Sequence, residues 1–197
     1  MRKLIFLVAV FTICKTANSQ ITNDYPFKTM LDSVNNLYVC GNGYNIATNK
    51  LNILLEKYTS DGVSLVYKFY DNPFGNDRGM DIAVDGHGNA FITGYIFNNI
   101  SQSNDIIILK FESSGTLSWT KTNHNPGDDK GYGIDIELDN IGLATNIFIS
   151  GYKTVNGQKS IFVSKLDNFG KITWQRDTSI SGKYDIATDI FVDAGHV

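Results

Sequence analysis

Charge is scarce in this chain. Only 19% of its 197 residues are Asp, Glu, Lys or Arg, and the balance is slightly acidic. Arginine is nearly missing, with Arg2, Arg78 and Arg176 as the whole set. Nucleic acid and anionic membrane surfaces both demand a basic patch, so neither is an expected partner. Cysteine is limited to Cys14 and Cys40, which excludes a disulfide framework. His87, His124 and His196 are isolated from one another and from any thiol. No metal-ligand spacing and no HExxH motif result, and no metal site is expected. Gly-x-Ser-x-Gly is missing, and Gly41-Asn-Gly43 opens no helix. A nucleophile elbow and a dinucleotide cofactor are thereby excluded, and no cofactor of any kind is expected. Beyond the first residues, no window carries the 3.6-residue apolar period of an amphipathic helix.

What remains is rich in aromatics (12%) and in Gly, with short runs of Val, Ile, Thr, Phe and Tyr. The class is all-β, and the length suffices for one domain with a sizeable core. The N-terminus reads differently. Arg2 and Lys3 precede an apolar run over 4–13, and Ala17 and Ser19 are small residues before Gln20. This is the pattern of a secretory signal peptide over 1–19. The run is too short to span a bilayer. Removal of the leader takes Arg2, Lys3 and Lys15 and no acid, moving the net charge from −3 to −6. Cys40 is then the only cysteine. A secreted or cell-surface location is expected.

The mature part is repetitive. Gly41, Gly94 and Gly151 are 53 and 57 residues apart, and Gly62, Gly115 and Gly170 are 53 and 55 apart. Tyr67, Trp119 and Trp174 are spaced by 52 and 55, and Asp32, Asp85, Asp139 and Asp193 by 53, 54 and 54. One period kept by four markers signals a repeat architecture. Each unit carries four strand-like runs, at 80–84, 90–95, 106–111 and 117–122 in the second. Tight turns, Asp85-Gly-His-Gly-Asn89 and Glu112-Ser-Ser-Gly115, join the first pair and the last pair. Longer polar connections cover 44–52, 96–105, 123–130 and 153–159. Four antiparallel strands per unit of about fifty residues is the arithmetic of a β-propeller blade. Blades of about 25–76, 77–129 and 130–183 are expected, with 184–197 opening a fourth. Ile106-Ile-Ile-Leu109 is apolar on both faces, as a strand sandwiched between sheets should be. Residues 141–145 read as an insertion that lengthens the first turn of the third blade.

Ile82-Ala-Val-Asp-x-x-Gly-Asn-x-Phe-Ile-Thr-Gly94, followed by Asp105-Ile-x-Ile-x-Lys110, Gly115 and Trp119, resembles the SBBP-type β-propeller repeat of secreted bacterial proteins. The resemblance covers nearly all of the chain after the leader. The second unit matches best; the first lacks the Trp and uses Tyr67. The family implies a seven-bladed propeller and is not tied to one activity. Three and a fraction blades leave a ring unfinished, so a fragment of a longer propeller, or completion by further blades of the same or another chain, is expected.

The pairs Asp81/Asp85, Asp135/Asp139 and Asp189/Asp193 sit at i and i+4 on the innermost strand, on one face. Asp81, Asp135 and Asp189 are candidates for a carboxylate ring that binds a polar ligand, although each could equally serve backbone donors of the next blade. Lys28 holds that position in the first unit. Tyr95 and Tyr152 stand near the longer connections, with two readings: solvent-facing rings on which a glycan or peptide could stack, or rings packed against the next blade. The spacing of Asp167, Gly170 and Trp174 misses the Asp-box of sialidases by one residue on each side. The expected function is a non-enzymatic module that binds protein or glycan through the longer connections 44–52, 96–105, 153–159 and the inter-blade turns, with no catalytic residues. The alternatives are a hydrolase or lyase on polysaccharide, using Asp81, Asp135 and Asp189 as acid and base, and a truncated product without function.

Overall fold

The computed structural model of the chain describes residues 21–179 and 184–193. The signal peptide expected over 1–19 lies outside them. Every regular element among the described residues is a β-strand. β1 (Ile21–Leu31), β2 (Leu37–Asn45), β3 (Lys50–Tyr58) and β4 (Ser64–Tyr70) form a first sheet in that order. β5 (Arg78–Val84), β6 (Ala90–Asn98), β7 (Ser103–Phe111) and β8 (Leu117–Asn123) form a second. β9 (Lys130–Leu138), β10 (Ala144–Val155), β11 (Gln158–Asp167) and β12 (Ile172–Thr178) form a third. Each strand pairs antiparallel with its neighbours in sequence. The hairpin turns before the last strand of each sheet put Gly62, Gly115 and Gly170 at φ of +86°, +81° and +79°. L-residues rarely adopt that region, which is why glycine recurs there.

The second sheet is buried on both faces. Ile92, Ile107, Leu109 and Phe111 pack against Tyr38, Cys40, Ile53, Leu55 and Val66 of the first sheet. Phe91, Ile106 and Ile108 pack against Ile134, Ile147, Ile149 and Phe162 of the third. The continuous apolar run 106–109 therefore feeds two cores by alternation, one residue to each side. Cys40 lies wholly inside the first interface, and burial pushes its thiol far above the ordinary range. A thiol so placed is inert packing.

Three details differ from the sequence reading. The insertion near 141–145 does not lengthen a turn. Asp85 N bonds Asn89 O, and Asp139 N bonds Leu143 O in a turn of the same length. The extra residues extend the strands instead: seven separate Ala144 from Gly151 in β10, where four separate Ala90 from Gly94 in β6. The longer connections also shrink, because β2 and β3 continue to Asn45 and Lys50, and β6 and β7 to Asn98 and Ser103. Polar residues there stay in the ladder because its backbone bonds do not depend on side-chain character. Lastly, Tyr67 does not replace the tryptophan. Trp119 lies opposite Lys110 and Trp174 opposite Lys165, but the residue opposite Lys57 is Val66. Tyr67 points to the other face, where its ring meets Phe69 edge-on at 5.0 Å.

Candidate functional site

Asp81, Asp135 and Asp189 share one hydrogen-bonding habit. Asp81 accepts from the N–H of Ile82 at 2.9 Å and, across the sheet boundary, from Ile134 N at 2.9 Å. Asp135 accepts from Ile136 N at 2.9 Å and from Val192 N at 2.8 Å. Asp189 accepts from Ile190 N at 2.8 Å. Asp81 thus spends its oxygens on backbone donors of its own strand and the next sheet, and Asp135 on donors of its own strand and the 184–193 segment. Lys28 reaches Asp81 at 3.5 Å. Burial raises the Asp81 carboxyl, against those hydrogen bonds and Lys28, and the charge of Asp189 adds to the rise. Among the described residues, no group of three or more His, Cys, Asp or Glu could hold a metal ion.

The two tyrosines meet in one polar cluster. Tyr152 is fully buried (0% exposed), packed rather than solvent-facing. Its hydroxyl bonds Asp128, and its ring lies 6.0 Å from that of Tyr132. Tyr95 is half-buried beneath Lys130, whose ammonium stands 4.5 Å from the ring centroid. Burial would raise Asp128, but hydrogen bonds from Tyr152 and Asn104 and the charge of Lys130 hold it below the usual range. The Tyr152 hydroxyl and one face of each ring are already engaged here, with Lys130 over Tyr95 and Lys159 over Tyr152.

Beside this cluster, the longer connections expected to carry recognition line a second site, whose particular residues the sequence did not single out. A cavity of about 700 Å³ lies between the β4–β5 connection, the β6–β7 turn and the β8–β9 connection. Phe74, Phe97, Ile100 and Pro126 give it apolar walls, and Asn72, Asn98, Asp105 and His124 give it polar points. Asp105 is 0% exposed, held at the start of the apolar run of β7. Its Oδ2 accepts from Asn98 Nδ2 at 2.6 Å and contacts His124 Nδ1. Its Oδ1 has no hydrogen-bond partner. A buried carboxylate oxygen left unpaired is costly. Thr122 Oγ1 lies 2.9 Å from His124 Nε2, so hydroxyl, imidazole and carboxylate stand in line. Asp105 was legible as part of the repeat motif, and His124 as an isolated loop histidine. Their meeting depends on antiparallel pairing of β7 with β8, a register no local pattern gives.

Behind the cavity, Asp77 is fully buried and receives Asn72 N at 2.7 Å and Asn72 Nδ2 at 3.3 Å. Burial, outweighing these bonds, pushes its carboxyl up to about 7. An unfolded Asp titrates near ~4. Between those values the folded chain holds a proton that the unfolded chain has released, so stability falls as pH rises from about 4 to about 7. Burial raises Asp129, Asp24 and Glu56 in the same sense. The melting temperature should therefore be higher at pH 5 than at pH 8, by roughly 5–10 °C if Asp77 contributes of order 3 kcal/mol. Asp77→Asn should flatten the profile; an unchanged slope would refute the assignment.

Comparison of the sequence with protein-family models and with curated proteins finds no match.

Proposed function

We propose that the chain is a stretch of secreted or cell-surface β-propeller, of the SBBP-type repeat its sequence resembles, and that it is a glycan-binding module rather than an enzyme. The propeller reading is supported by three successive four-stranded meanders packed face to face. The leader pattern over 1–19 supports export.

The binding reading rests on the cavity at Asp105. Aromatic and aliphatic walls take the C–H face of a sugar ring, while amide and imidazole groups take its hydroxyls. Asp105 Oδ1 lies buried without a partner, and the site meets a ring hydroxyl through its more exposed members, Asn98 and His124. The surrounding turns are anchored on strand ends, which keeps these groups in place before a ligand arrives.

A neutral-glycan array followed by titration calorimetry tests this. Asp105→Asn should weaken binding about tenfold or more, since Asn98 and His124 lose the charged acceptor that holds them, a contact worth ~1.5–3 kcal/mol. Phe97→Ala should weaken it through the lost wall. An array without hits, or affinity indifferent to Asp105→Asn, would refute the reading. The Thr122–His124–Asp105 line favours one second reading, hydrolysis of the bound sugar. Product release that stops in His124→Asn would establish it over simple binding.

A further inference from the structure

The same clamp joins the sheets twice. At the first boundary, Lys57 lies 4.8 Å from the Tyr38 ring and donates to Ser113 O of the next sheet at 3.5 Å. Val66 packs on the glycine turn at Gly115. At the second boundary, Lys110 lies 5.5 Å from the Phe91 ring and donates to Asn168 Oδ1 at 2.9 Å. Trp119 covers the turn at Gly170, 3.2 Å from where a Cβ would stand, and its Nε1 donates to Asn168 O at 3.1 Å. An aromatic ring, a lysine and a Val or Trp thus grip the turn of the following sheet each time.

Both halves of this clamp recur on outer faces. The third sheet repeats the gripping half: Lys165 lies 4.9 Å from the Phe148 ring, and Trp174 lies 6.4 Å from it. Trp174 is 39% exposed, and Lys165 turns back to Glu137 of its own sheet at 3.4 Å. The first sheet repeats the gripped half. The turn Thr59-Ser-Asp-Gly62 has the same hydrogen bonds, Thr59 N to Val63 O and Gly62 N to Thr59 O, as the turns at Gly115 and Gly170. A Cβ at Gly62 would meet nothing within 4 Å, whereas the other two glycines are covered. Exposed Val63 and Leu65 flank it. Charges match too: Asp61 stands in this turn, and Lys165 and Arg176 stand on the third sheet's face.

We infer that a second copy of the chain docks head to tail, the Gly62 turn of one copy seating on Phe148, Lys165 and Trp174 of the other. The contact continues an interface the chain already builds twice. Residues 184–193 cover the inner part of the receiving face. Asp185 N bonds Lys159 O at 3.1 Å and Ala187 N bonds Gly151 O at 3.2 Å. Asp77 N bonds Leu51 O at 2.7 Å and Asp129 N bonds Asn104 O at 2.8 Å at the starts of β5 and β9. The segment therefore lies at a first-strand position, where no strand among the described residues pairs with it, whereas β1 is held by a ladder to β2. On docking, 184–193 yields its place to β1 of the second copy. This inference does not depend on the cavity or its ligand.

Sedimentation velocity over a concentration series tests it. The chain should show mass rising with concentration and progressive loss of association in salt, because the contact includes Asp61 with Lys165 and Arg176. Trp174→Ser with Arg176→Asp disables the gripping face, and Asp61→Arg disables the turn. Each variant should be monomeric alone. Mixed one to one they should form a dimer and no larger species, because each keeps one intact half of a heterologous contact. Circular dichroism checks that both remain folded; if the Trp174 variant does not, Arg176→Asp alone serves. A monomer at every concentration would overturn the inference in favour of another occupant, such as a further four-stranded sheet. So would variants that still associate alone, or mixtures that stay monomeric.

Discussion

Gly94→Ala should abolish folding or destabilise the chain by at least ~3 kcal/mol, measured by urea unfolding. The reason is backbone against backbone. A Cβ at Gly94 would sit inside the carbonyl of Arg78 on the paired strand. Gly41 and Gly151 face Tyr25 O and Lys130 O in the same way. Beside each of these glycines the inner strand slips register, between Pro26 and Lys28, between Gly79 and Asp81, and at Gly151. Such a bulge bends the strand toward its neighbour, and no side chain can yield to make room. The comparison is Gly157→Ala, where a Cβ meets nothing within 4 Å. Its positive φ of 76° limits the cost to roughly 1–2 kcal/mol. Equal effects at the two positions would show that conformational freedom, not close approach, conserves stability at Gly94.

Trp119→Ala should cost about 3–5 kcal/mol, the range for truncating a large aromatic at a packed contact. Trp119 joins the second core beside Phe91, 6.5 Å between ring centroids, and roofs the turn at Gly170. Trp119→Phe should restore most of that stability. What it fails to restore, about 1 kcal/mol, is the bond from Nε1 to Asn168 O. Val66→Ala at the equivalent position of the first sheet should cost less, since fewer atoms are removed from the interface. If Trp119→Ala cost under ~1 kcal/mol, the ring would be a surface ornament and the sheet boundary would be held by the aliphatic core alone.

Strand number, order within each sheet and the two-sided burial of β7 were legible in the sequence. They follow from local facts: a period near fifty-three residues, glycines at turns, and the unbroken Ile106–Leu109 run. The place of Val66 was legible but overlooked: it follows Gly62 by four residues, as Trp119 follows Gly115 and Trp174 follows Gly170, and the same slip recurs in all three ladders, while the aromatic Tyr67 beside it drew the comparison. Of the two readings of Tyr152, the packed one holds. Its fate depends on Asp128 and Tyr132, which arrive from another strand connection. The inner aspartates were recognised as a set, with backbone service as one of their two readings, because their spacing put them on one face. Asp105 and His124 were visible only as separate residues. A single histidine in a polar turn carries no signal until a buried carboxylate lies beside it.

Every ladder in this chain closes between strands adjacent in sequence, and between sheets the backbone exchanges only scattered bonds, such as Gly86 N to Gly142 O at 2.7 Å. The gene for such a chain can therefore gain or lose one whole unit without reassigning any strand to a new partner. The lengthened β9–β10 hairpin shows that single units also tolerate extra residues within their strands. Length can thus change by one period at a time while each remaining unit keeps its own hydrogen-bond ladder.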